Sequence, residues 1–168
     1  MIDLKDPSMK EIVDEFCQES NNLISELQGL LELLEDDATQ VQLLEKFGQV
    51  IDRIMGAAKT LGAEQIATFC DLGKTIGYKS SQINDQPLLE VVVAILCDAT
   101  DLLEKMVVNL SAGQGETLKN LNTQAFATRL KWLSEKFKNI ERGSVAFDHD
   151  STKVDQSEID DLLESLGL

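Results

Sequence analysis

Apolar residues recur along this chain at intervals of three and four for more than about a hundred residues, the signature of successive amphipathic helices. Met9, Ile12, Val13, Phe16, Leu23, Ile24, Leu27, Leu31 and Leu34 share one stripe of a first helix, which stops at Glu35-Asp36-Asp37. Val41, Leu44, Phe47, Ile51, Ile54, Met55 and Ala58 form the stripe of a second, with Gly62 as its stop. A third helix over 63–82 turns Ile66, Phe69, Gly73, Ile76 and Ile83 inward, its small residues permitting close approach. Asn84-Asp85-Gln86-Pro87 breaks and restarts the chain. The fourth helix, 88–110, carries Leu89, Val92, Leu96, Ala99, Leu103, Met106 and Leu110 on its stripe. Its VVVAIL run has the composition of a strand, but the helical period persists over too great a length for one. Aromatics are only 5% of the residues against 43% apolar, so Leu, Ile, Val and Ala must fill the core. The expected fold is all-α, an antiparallel four-helix bundle over 1–111.

Around that bundle the text changes character. Asp6-Pro7 reads as an N-cap followed by proline at the first helical position, where a missing N–H costs nothing. Residues 111–115 form a loop, and Asn122 or Thr123 caps a fifth helix with Phe126, Leu130, Leu133, Phe137 and Ile140 on one side. Its place, on the bundle or on a second copy, is left open, so 112–141 is treated as an appendage. Residues 142–154 are polar and without period, as expected of a flexible tether. The amphipathic segment VDQSEIDDLLESLGL ends the sequence, and residues 155–168 are expected to serve a partner, because tether and tail carry too little apolar surface to join the core.

The net charge of −15 and pI near 4.3 argue against nucleic acid or an anionic membrane surface and favour a partner with a basic face. Cys17, Cys70 and Cys97 lie far apart on apolar stripes, and His149 is the single histidine, so no metal site is expected. Isolated cysteines, the charged first residues and the lack of a long apolar run point to a cytoplasmic protein without membrane insertion.

The polar face of the second helix is unusual. Glu45, Gln49, Asp52, Arg53 and Gly56 fall on one side of it, opposite the apolar stripe. Residues 52–62, D-R-I-M-G-A-A-K-T-L-G, resemble the helix motif of histidine phosphotransfer (Hpt) domains, H-x-[LI]-K-G-[SG]-A-x-x-[LF]-G. That likeness spans roughly residues 9–110 and implies a four-helix fold. Asp52 stands where the phosphorylated histidine would be and Met55 replaces the usual lysine, so the resemblance implies an Hpt-like bundle without phosphorelay activity.

A second resemblance is to the CheZ family, phosphatases of the chemotaxis response regulator CheY. Their helix carries D-x-x-x-Q followed by V-I-x-R, and Glu45 to Arg53 read E-K-F-G-Q-V-I-D-R, with glutamate in place of aspartate. The terminal segment is similar to the tail by which that family grips CheY, D-Q-x-x-[VI]-D-D-L-L-x-S-L-G. The two motifs come in the family's order.

This likeness implies that Gln49 holds a water in line with an aspartyl phosphate, in a regulator whose own site supplies Mg²⁺ and a lysine, and that Glu45 pairs with that lysine. The chain would need no cofactor of its own. Asp52, Arg53 and Gly56 would touch the rim of the partner. In the tail, Ile159, Leu162, Leu163 and Leu166 have anchor spacing. Asp155, Gln156, Ser157 and Glu158 begin the segment, and Asp160, Asp161 and Glu164 face outward toward basic groups. Two readings follow: a CheY-type regulator phosphatase ending a chemotaxis signal, or a non-catalytic pseudo-Hpt adaptor for a regulator or relay partner. A monomeric bundle and a homodimer of hairpins both remain open.

Overall fold

A computed structural model describes residues 2–116, 118, 121–144 and 157–168, with side chains described for all of these but 140–144 and 157. Among the described residues there are no strands. The helices are α1 (Lys10–Asp36), α2 (Val41–Leu61), α3 (Glu64–Ser80), α4 (Gln86–Ser111), α5 (Gln124–Ser144) and α6 (Ser157–Ser165), preceded by a 3₁₀ turn at Pro7–Met9. None is long and apolar enough to cross a membrane.

The first four helices form the expected bundle. Each packs on its neighbours in sequence, and α1 also packs on α4, which closes the ring. Short connections enforce the antiparallel order. Asp37 accepts from the Thr39 amide in the first turn. Gly62 ends α2 in the left-handed conformation at φ 87°, a role glycine fills without steric cost. Asp85 caps α4 by accepting from the Leu88 amide, with proline in the first turn. The core lies between the helices and consists of the predicted aliphatic stripes, with Phe47 and Phe69 among the largest fully buried side chains.

α2 and α3 approach most closely, and three glycines permit it. Tyr78 lies on Gly48, Ile51 fills the space that a side chain on Gly73 would need, and the Leu44 carbonyl lies against Gly77. Gly73 and Gly77 are one turn apart on α3, so together they lay its backbone against α2. Another contact reaches across the chain. The first residue of α3 has no side-chain cap at its N-terminus, and Glu116, in the loop after α4, accepts from the Ile66 amide at 2.9 Å. A carboxylate suits the unsatisfied amides and positive dipole end of a helix start.

Three expectations change, and the place of α5, left open, is given by the fold. Asp6 caps the 3₁₀ turn and not α1 itself. Ile12 is 53% exposed, because the buried arc of α1 runs through Val13, Cys17, Ser20 and Ile24, to one side of it. α5 packs on the bundle: Phe126 meets Phe69 at 5.8 Å between ring centroids, and Arg129 pairs with Asp98 of α4. Its helix runs on through 142–144, within the stretch expected to be tether. The rest of that tether and His149 lie outside the described residues.

The expectation that the tail carries too little apolar surface to join the core does not hold. α6 packs on α3 and α5, with Ile159 only 1% and Leu163 only 3% exposed. An amphipathic helix buries its apolar stripe wherever a complementary surface is available, and here the chain's own bundle supplies one.

Candidate functional site

The exposed side of α2 follows from its helical pitch. With Leu44, Phe47, Ile51, Ile54 and Ala58 turned into the core, residues 45, 49, 53 and 56 must face out, and all four are exposed. Glu45 and Gln49 are one turn apart, which places their Cβ atoms about 5–6 Å from each other. Among the described residues neither takes part in a hydrogen bond or ion pair. A carboxylate and a carboxamide are thus presented side by side, free to bind something outside the chain.

The other members of the face are engaged. Asp52 accepts from the Lys74 ammonium of α3 at 2.8 Å. That bond is the main reason why the Lys74 ammonium is held above the usual lysine range. Arg53 pairs loosely with Glu26 of α1 at 3.9 Å. Asp52 and Arg53 therefore brace α2 against its two neighbours, and Glu45 and Gln49 stand between those braces.

Gly56 is different from the glycines of the α2–α3 contact. A methyl group there would meet nothing within 4 Å, so packing does not require glycine, although glycine inside a helix costs about 0.5–1 kcal/mol relative to alanine. What it provides is a bare stretch of helix backbone beside Asp52. Gly29 of α1 is equally open. The Glu26–Arg53 pair marks the antiparallel register of α1 and α2; counting along the two helices from it places Gly29 near the level of Gln49, and Leu33, 51% exposed, near the level of Glu45 and Lys46. The face thus combines two free polar groups, two open glycines and one exposed leucine.

Comparison with family models, curated proteins and solved structures finds no match for this chain. The site must be read from its own residues. Lys74, Glu26, Gly29 and Leu33 are not singled out by the sequence, because cross-helix register, which no spacing within one helix encodes, sets their place.

The tail residues are elsewhere. Ile159 and Leu163 are buried, and Leu162 and Leu166 are half-buried against the same core. Asp160 faces outward as expected, and the groups it meets belong to this chain: Ser134 donates to it at 2.8 Å and Lys138 lies at 3.6 Å. Asp161 and Glu164 are exposed. Asp155 and Gln156 lie outside the described residues.

The three thiols are ill suited to chemistry. Burial pushes Cys17 up to about 11 and raises Cys70 further. Cys97 is half-buried, and its S–H points at the Glu35 carboxylate at 3.4 Å. Desolvation first, then that bond and nearby carboxylates, push it up to about 12.

Proposed function

We propose that this protein dephosphorylates an aspartyl-phosphorylated response regulator of the CheY type, which docks on the exposed face of α2. The observation that carries the reading is the pair Glu45 and Gln49, one turn apart, exposed and engaged by no other described residue. Phosphoryl transfer to water requires little covalent chemistry from a protein, because positioning and charge compensation do most of the work. A carboxamide can accept from and donate to one water without bringing a competing anion to the phosphate. Gln49 has the reach and freedom to do so. Glu45 would fix the docking register by pairing with a cation of the regulator, and its extra methylene relative to aspartate lengthens that reach. Gly29 and Gly56 leave room for a partner's loops to approach the helix backbone, and Leu33 adds an apolar contact at the same level.

The test is phosphate release from phosphorylated regulators with the wild-type chain and with Gln49→Ala. An exposed helix position tolerates alanine within about 0.5 kcal/mol, so the variant should remain folded. Loss of one transition-state contact lowers a rate by about a hundredfold or more, and Glu45→Ala should give a milder loss. Full activity in Gln49→Ala would remove the catalytic assignment.

One observation favours the second reading, a non-catalytic adaptor. The position of the Hpt histidine is held by Asp52, a carboxylate already bound to Lys74, which suits a docking face without phosphorelay chemistry. A regulator that binds the α2 face while its dephosphorylation rate stays constant would select the adaptor.

A further inference from the structure

α6 is nine residues long, and an isolated helix of that length is unstable in water. Its conformation is therefore held by the surface beneath it. That surface lies between α3 and α5, which are tied together by the Lys79 ammonium 5.9 Å from the Phe137 ring centroid and by the Phe69–Phe126 contact. Ile159 and Leu163, one turn apart, bury their side chains there. On the α5 side the rim is polar and basic: the buried Ser134 hydroxyl donates to Asp160, and the Lys138 ammonium lies beyond it. An apolar floor with a hydroxyl and a cation at one edge complements a helix bearing an acid immediately after its first anchor.

We propose that the α3–α5 surface is a recognition site for an acidic amphipathic helix of the pattern Ile159-Asp160-x-x-Leu163, occupied by the chain's own α6 and able to take the same helix from outside once α6 is displaced. Residues 145–156 join the two helices, so α6 cannot move more than about 40 Å from the end of α5. Such a leash corresponds to a local concentration in the millimolar range. A free helix of equal intrinsic affinity, added at micromolar concentration, is therefore outcompeted unless the resident helix is disabled. This inference is independent of the phosphatase reading, since no regulator enters its test.

The probe is a fluorescent peptide of residues 157–168, titrated into the full chain and followed by anisotropy. Wild type should bind it at least tenfold more weakly than the full-length variant Ile159→Asp/Leu163→Asp, in which the site is vacated. Adding Lys138→Glu to that variant should weaken binding about tenfold again. Equal binding by wild type and the double variant would overturn the proposal. So would absence of binding by a double variant whose α1–α4 amides exchange as slowly as in wild type. Hydrogen exchange of the unmodified chain gives a second measurement that needs no unfolding-prone variant. The α6 amides should be protected relative to the free peptide, and Lys138→Glu should lower that protection by up to about tenfold without changing α2. Unprotected α6 amides, or protection that disappears on dilution and so places the helix on a second copy, would refute occupancy by the chain's own tail.

Discussion

The same substitution, glycine to alanine inside a helix, should have opposite effects at two places in this molecule. At Gly77 the new methyl would stand 3.0 Å from the Leu44 carbonyl oxygen and 3.5 Å from both the Gly48 nitrogen and Phe47 Cδ1. Two of these neighbours are backbone atoms of α2, held in its hydrogen-bond ladder, and they cannot rotate away as a side-chain end would. Overpacking of this kind costs about 1–3 kcal/mol, and a rigid neighbour favours the upper part of that range. Alanine returns about 1 kcal/mol of helix propensity. The net expectation for Gly77→Ala is a loss of about 1–2 kcal/mol. Gly56→Ala meets no neighbour, so only the propensity gain of about 0.5–1 kcal/mol remains. In a chain of this size each kcal/mol moves Tm by about 2–4 °C. Thermal melts followed by far-UV circular dichroism should thus place Gly77→Ala below wild type and Gly56→Ala above it. A Gly77→Ala protein as stable as wild type would show that α2 and α3 are not packed backbone to backbone at this point. Under the function proposed above, Gly56→Ala carries a second readout: the more stable protein should release phosphate from a regulator more slowly, because the methyl covers the open part of the proposed docking face.

Two further outcomes follow from the ionisable groups. Native protein at pH 8 should react slowly with a thiol reagent at all three cysteines, the half-buried Cys97 included, and rapidly after unfolding in urea; fast labelling of Cys97 would mean that burial, with the Glu35 contact, does not hold its proton. The Lys74 ammonium has its pKa raised in the fold, so the stability it contributes is complete below the unfolded lysine value of about 10.4 and is lost as pH rises through the higher folded value. Lys74→Met should therefore be less stable near neutral pH and show a flatter decline above about pH 10 than wild type; identical alkaline limbs would refute the Asp52 pairing.

The bundle was legible because its information is local. A stripe such as Leu44, Phe47, Ile51, Ile54 and Ala58 specifies both a helix and the side it buries, and four such stripes with short connections leave few arrangements. Exposure of Glu45 and Gln49 followed from the same pitch. What one helix meets on another was not legible. Asp52 read as part of a partner-facing polar side of its helix, and only the depth of the α2–α3 approach, set by Gly48, Gly73 and Gly77, brings Lys74 within 2.8 Å of it. The tail shows the limit most clearly. Its spacing announced a helix with one apolar face, correctly, but an apolar face does not specify its acceptor, and in this fold α3 and α5 supply one.

The carboxylate of Glu116 at the start of α3 also imposes an order in time. Its bond to the Ile66 amide spans 50 residues, and a nascent chain emerges from first to last. At about 5–20 residues per second of synthesis, roughly 3–10 s pass between the appearance of Ile66 and that of the group that caps its helix. During that interval the acceptor that completes the first turn of α3 does not yet exist. The acid that completes the start of α3 is thus made only after every residue of all four helices, so the bundle is fastened from a point beyond its own last helix.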